Sequence, residues 1–169
     1  MATNVSVSTL AGIGSVQATL PSEREQILEI AAAADVFNAI ELSTVDELLA
    51  GYFRDPRQSG YNFLSYREAG AVLGFATWGP RSLSERGYDL YWIATRPDAQ
   101  RRGVARALLL QVEDEVRARG GGWVWVETSS TELYTAARAF YEKCGYSRLA
   151  VLEDFYHNGD GLVIYLKRI

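Results

Sequence analysis

Tyr91-Trp92-Ile93-Ala94-Thr95, Arg96-Pro97-Asp98-Ala99 and Gln100-Arg101-Arg102-Gly103-Val104-Ala105-Arg106 follow one another without interruption, and their order is strand, break, basic turn and helix. An aromatic and β-branched run halts at a proline. The spacing then predicts a helix over about Gln100 to Arg119, because Val104, Leu108, Val112 and Val116 recur every four residues with Ala105 and Leu109 beside them. Glu113 and Arg117 are expected as an i,i+4 pair on its wet side. A helix N-terminus carries about half a positive charge and several unpaired N–H groups, so it holds a phosphate when the backbone can come close. Gly103 and Ala105 permit that approach, and Arg101, Arg102 and Arg106 add full charges. The pattern fits an anion cradle, and taken alone it fits a solvated helix start equally well. Neither the P-loop sequence nor the Rossmann glycine fingerprint occurs.

Downstream, Gly120-Gly121-Gly122 ends that helix, and Trp123-Val124-Trp125-Val126 reads as a strand covered on both faces. Strand, helix and second strand imply a right-handed crossover. A further helix is expected over about Tyr134 to Cys144, with Ala137, Phe140, Tyr141 and Cys144 on one face and Gly145 as its stop, before strands near Ser147 to Leu152 and Leu162 to Lys167. Upstream, Asp89 to Thr95 follows a hairpin that turns at Glu68-Ala69-Gly70 and ends at Gly79-Pro80. Two amphipathic helices precede it. One has Ser22 as its expected N-cap and Ile27, Leu28, Ile30, Ala31 and Ala34 inside, and the other runs from Thr44 to Phe53 and closes at Asp55-Pro56. Residues 1–12 read as a tail or edge strand, and 13–169 as a single domain.

The 169 residues are 48% hydrophobic and 22% charged, an ordinary globular composition. Seventeen Lys and Arg against 21 Asp and Glu give a net charge of −4, which argues against nucleic acid as partner. Hydrophobic runs such as Leu90 to Ala94 reach five residues, far below the roughly 18 of a membrane span. No charge precedes Glu23 and the single Cys144 has no disulfide partner, so a cytoplasmic protein is expected. No metal spacing of His, Cys and carboxylates is visible.

Gln100-x-x-Gly103-x-Ala105, after Ile93-Ala94-Thr95 and Pro97, resembles the Gln/Arg-x-x-Gly-x-Gly/Ala acetyl-CoA motif of the GNAT superfamily of N-acetyltransferases. Ala137-x-x-Phe140-Tyr141-Glu142-x-x-Gly145-Tyr146 resembles the second motif of that family. Together they cover roughly Leu90 to Tyr146. The resemblance implies an α/β fold with a GNAT-type mixed, splayed central β-sheet flanked by helices on both faces. It implies a slot in which the pantetheine of acetyl-CoA adds like a strand to Ile93, Ala94 and Thr95. It also implies a pyrophosphate on the turn of Arg101, Arg102, Gly103, Val104, Ala105 and Arg106. The expected reaction moves an acetyl group to a primary amine, on a small molecule or a peptide, by direct attack in a ternary complex.

Such a reaction needs a neutral amine, an N–H aimed at the developing oxyanion and an acid for the departing thiolate. A bulge at Ile93 or Ala94 would supply the N–H. Tyr141 matches the family's acid, although its spacing also suits a core tyrosine. Glu127, at the end of its strand, is the first candidate base and Asp89 the second, each with a solvated carboxylate as the plainer reading. Tyr134 stands where the family often carries asparagine, and is expected to shape the acceptor pocket; Ser129 and Ser130 could replace the lost amide. Tyr156 and His157 fall in a polar loop near the acceptor, with Tyr156 the expected contact. A silent acyl-CoA sensor of the same fold and a nucleotide-binding regulatory domain stay open as alternatives. The hydrophobic final strand could support a homodimer.

Overall fold

Phe63 and Leu64 are neighbours in sequence and serve opposite faces of one sheet, as successive strand residues do. Phe63 joins a cluster with Ile27, Ile30, Val45, Leu49 and Phe75, whereas Leu64 joins Leu108, Val112, Val126, Tyr141 and Tyr165. Each face is therefore roofed by its own helices. The computed structural model describes residues 14–34 and 36–169, so the tail or edge strand expected at 1–12 lies outside the described residues.

In chain order the elements are β1 (Ser15–Ala18), α1 (Arg24–Ala33), α2 (Ala39–Arg54), α3 (Pro56–Ser59), β2 (Asn62–Glu68), β3 (Ala71–Pro80) and β4 (Gly87–Thr95). They continue with α4 (Val104–Ala118), β5 (Trp123–Ser129), α5 (Thr135–Lys143), β6 (Ser147–His157) and β7 (Asp160–Arg168). The strands form one mixed sheet in the order β1-β2-β3-β4-β5-β7-β6. Only β4 and β5 run parallel, as a strand–helix–strand crossover requires; the other neighbours are antiparallel. The fold is the mixed α/β, helix-flanked sheet expected. Among the described residues no helix is long and apolar enough to cross a membrane.

Several local expectations are corrected. Ser22 is not an N-cap: Pro21–Glu23 form a single 3₁₀ turn, and the Glu23 carboxylate accepts the Leu20 N–H at 2.8 Å. The second helix starts at Ala39 because Asn38 accepts from the N–H groups of Ile40 and Glu41, while Glu41 accepts in return from Asn38. Glu113 does not pair with Arg117 on the wet side. It is buried and accepts both of its hydrogen bonds from Lys167 at 2.8 Å, while Arg117 pairs with Asp114. β5 is not covered on both faces: Val124 and Val126 are buried, but Trp123 is 40% exposed and Trp125 lies beneath the Arg81 guanidinium, 4.1 Å from its ring centroid. The loop expected around Tyr156 and His157 is instead the end of β6. The final strand β7 lies between β5 and β6 and buries Leu162, Val163 and Tyr165 in the core, while β6 is the strand exposing Leu149, Val151 and Phe155.

Candidate active site

The parallel pairing of β4 and β5 covers only Gly87–Leu90 against Trp123–Val126. Beyond that point β4 stays with β3 through Thr95, while Glu127–Ser129 stay with β7, so the sheet opens as a wedge. Ile93, Ala94 and Thr95 form one wall and, among the described residues, present a strand edge that pairs only with β3. An extended ligand arm can add there by the same hydrogen bonds that join strands. The irregularity in β4 falls opposite Thr77 and Trp78 and makes Tyr91 the extra residue, so the expected bulge at Ile93 or Ala94 is corrected to the mouth of the wedge.

At the end of β4 the backbone makes a 3₁₀ turn at Pro97–Ala99, and Arg101 and Gly103 take φ of 60° and 84°. Positive φ cannot continue a right-handed helix, so α4 begins at Val104, not Gln100. Its first helical bond runs from Ala107 N–H to Gly103 C=O at 2.9 Å, which leaves the N–H groups of Val104, Ala105 and Arg106 without a backbone acceptor among the described residues. A Cβ built on Gly103 would meet nothing within 4 Å, so the concavity is open. Arg101, Arg102 and Arg106 are exposed around it, and Val104 is anchored in the core. Arg102 is drawn to Glu68 at 2.6 Å; Arg101 and Arg106 make no ion pair among the described residues. The turn fits a diphosphate: open space, unspent donors and positive charge meet there.

Tyr141 projects from α5 into the cluster containing Val124 and Val126, and its ring packs 5.8 Å from that of Tyr165 and 6.0 Å from that of Tyr146. It is 7% exposed, and burial pushes its phenol well above the ordinary value, so it keeps its proton at neutral pH. Glu127 is one residue past Val126 and faces the other side of the sheet. There Trp125 Nε1 donates to Glu127 Oε1 at 2.8 Å, and Arg81 lies 3.6 Å from that same oxygen while also pairing with Asp89. Burial raises the Asp89 carboxyl despite Arg81, and burial with the nearby Asp89 charge raises Tyr91 to about 12. The two groups expected to move protons thus flank the wedge from opposite faces.

Tyr134 caps α5, and its hydroxyl donates to the Val36 carbonyl at 2.8 Å, tying the second family motif to the segment before α2. Tyr156 is 47% exposed; burial, then Glu127 and Asp160, raise its phenol. Ser129 and Ser130, expected as possible substitutes for an amide, are both engaged within the fold. Ser129 donates to Asp160 at 2.5 Å and accepts from Thr131 N–H, and Ser130 accepts from Gly161 N–H at 2.7 Å. His157 has a side chain 71% exposed and rests 3.6 Å from Asp160. Arg81 and Trp125 were invisible as site residues in the sequence. Trp125 and Glu127, two apart on a strand, share a face, which was the one readable signal.

The model of the acetyltransferase (GNAT) family matches residues 25–146. The [ribosomal protein bS18]-alanine N-acetyltransferase of Escherichia coli is 38% identical over 72 residues, 43% of this chain and 47% of that enzyme. The chain thus spans about half the length of this relative. A crystal structure of a GNAT-family protein from Desulfovibrio desulfuricans superposes with a TM-score of 0.89 at 34% identity, covering 92% of this chain and 99% of the other. A Salmonella typhimurium protein solved with its cofactor acetyl-CoA shares the fold, with a TM-score of 0.74 at 20% identity over 92% of this chain and 93% of its own.

Proposed function

Because the chain belongs to the acetyltransferase (GNAT) family, we propose that it transfers the acetyl group of acetyl-CoA to the α-amine of a peptide N-terminus. The observation that carries this reading is the wedge beyond Leu90 and Val126, with Glu127 on one face and Tyr141 on the other. Ile93, Ala94 and Thr95 hold the donor's arm, and the turn from Arg101 to Arg106 holds its diphosphate. A thioester supplies an acyl carbon that an amine can attack, with the C–N bond forming as the C–S bond breaks. Glu127 accepts the amine's proton, and Tyr141 gives its proton to the leaving sulfur. Asp89, clamped by Arg81 and half-buried, orients Arg81 beside Glu127 and does not take the proton itself.

The acceptor class follows from proton supply. An α-amine has a pKa of about 8 and is roughly a tenth neutral at pH 7, whereas a lysine near 10.4 is neutral in well under a thousandth of molecules. A half-exposed carboxylate is a weak base, so the acceptor that arrives partly deprotonated is favoured. Carboxylates of Glu41, Glu127 and Asp160 around Tyr134 and Tyr156 attract a cationic chain to the same face. The Escherichia coli relative, a ribosomal protein bS18 alanine N-acetyltransferase, agrees with this choice.

The test is acetyl-CoA with two forms of one peptide carrying a lysine, one with a free N-terminus and one blocked, read by mass spectrometry. Acetylation confined to the free N-terminus is expected. Modification of the lysine alone overturns the acceptor class, and acetyl-CoA binding without acceptor-dependent thiol release overturns turnover in favour of a binding module. Tyr141→Phe and Glu127→Gln are each expected to lower kcat about a hundredfold while acetyl-CoA still binds.

A further inference from the structure

Trp125 and Glu127 lie two residues apart on β5, so their side chains leave the same face of the sheet. Trp125 Nε1 donates to Glu127 Oε1 at 2.8 Å, and a guanidinium nitrogen of Arg81 lies 3.6 Å from the same oxygen. Both contacts fall on Oε1. The other oxygen, Oε2, has no hydrogen-bond or ion-pair partner among the described residues. The carboxylate is thus divided into an oxygen that is held and an oxygen that is free.

What holds the indole is Arg81. Its guanidinium lies 4.1 Å from the Trp125 ring centroid, within reach of cation–π attraction, and pairs with Asp89, whose side chain is 17% exposed. The β4–β5 register sets Asp89 opposite Trp125, and the Arg81 N–H donates to the Gly87 carbonyl at 2.9 Å, which fixes the root of the arm. Asp89, Arg81, Trp125 and Glu127 therefore form a chain from a mostly buried carboxylate to one whose side chain is 42% exposed. A glutamate that open to water samples several rotamers unless a partner selects one. A proton acceptor, by contrast, must be held to within about 0.5 Å of its productive place. We propose that Trp125 is the positioning residue of the proton acceptor: its indole N–H, braced by Arg81, anchors Glu127 through Oε1 and leaves Oε2 to take the amine's proton. The N–H bonding pair stays on nitrogen as the proton passes to Oε2, and Oε1 keeps the indole bond through the step. The proposal rests on the reading of Glu127 given above and adds which oxygen acts and what aims it.

Nitrogen–proton correlation spectra of the full chain, together with steady-state kinetics, test it. The Trp125 indole signal, assigned through the residue's own backbone, should move upfield in Glu127→Ala, which removes its acceptor. Trp125→Phe keeps an aromatic face under Arg81 and loses the donor, so kcat should fall about tenfold while the acetyl-CoA KM holds. On a Glu127→Gln background the same change should have no further effect, because the two residues act as one unit. Trp123→Phe, which alters the exposed indole at the start of the same strand, should keep the wild-type kcat. An unmoved indole signal in Glu127→Ala overturns the proposal. So does a wild-type kcat in Trp125→Phe, or an equal loss in both backgrounds. Should Trp125→Phe fail to fold, the indole signal in Glu127→Ala decides alone. A wild-type kcat in Glu127→Gln, in contrast, strikes the proton-transfer reading itself and this proposal with it.

Discussion

Tyr134 spends its hydroxyl on the Val36 carbonyl, so a residue at a position where asparagine is usual works as a tether across the acceptor face. Tyr134→Phe removes one hydrogen bond and leaves the ring. A loss of about 1 kcal/mol at that joint is expected to raise the acceptor KM several-fold without altering acetyl-CoA binding, as steady-state kinetics would reveal. Tyr141 allows a second expectation. Burial raises its phenol, so the group stays protonated below its ordinary value of about 10, and kcat should show no fall from Tyr141 as pH rises from 7 to 9. A decline there that Tyr141→Phe abolishes would contradict this. The places of Gly103, Tyr141 and Glu127 were readable because each sits in a local pattern, a helix start, a motif and the later half of a strand, while the roles given to them belong to the proposed function. Arg81 and Trp125 were not, because the β4–β5 register that sets Asp89 opposite Trp125, and so gathers Arg81 over them, is tertiary.

Elements were legible where period and punctuation agreed. The hairpin of β2 and β3, the strand of β4 and the length of α5 follow their alternation, heptad-like spacing and glycine stops closely. The start of α4 was not, because helical periodicity in Val104, Leu108 and Val112 carries no record of the positive φ at Arg101 and Gly103. Close approach of α4 to the sheet depends on Gly74, where an added Cβ would lie 2.8 Å from both the Ala94 carbonyl and Val104. Gly74→Val is therefore expected to destabilise the protein by about 2–3 kcal/mol, measurable by urea denaturation. The first turn before α1 is bound to β2 by the ion pair of Glu23 and Arg67. Burial alone would raise the Glu23 carboxyl, but Arg67 and the Leu20 N–H together hold it below its usual range. Its stabilisation is present above the unfolded carboxylate value of about 4.3 and disappears as pH falls through the lower folded value. Glu23→Gln should cost about 3 kcal/mol at pH 7 and flatten the acid limb of a stability–pH curve.

Two local groups of like charge stand out on the folded molecule. Arg101, Arg106 and Lys143 gather on the α4–α5 side, and Asp89, Glu127, Asp160 and Glu41 on the side from which an amine would come. The exposed members of these groups are screened within about 8 Å at physiological salt, so added salt should weaken binding of donor and cationic acceptor alike. Composition gives only the sum of −4; the sorting needs the chain folded. The parting of β4 from β5 past Leu90 and Val126 has a further bearing on how the protein holds together. Through the middle of the sheet runs a seam that no strand pairing among the described residues stitches, and under the proposed function the arm of acetyl-CoA would close it from both sides. Cohesion and catalysis are therefore coupled. Amide exchange along Tyr91 to Thr95 should slow when acetyl-CoA is added, and at a hundred times its Kd the donor should add about 2.7 kcal/mol to unfolding. If the proposed transfer holds, the protein is at its loosest between turnovers.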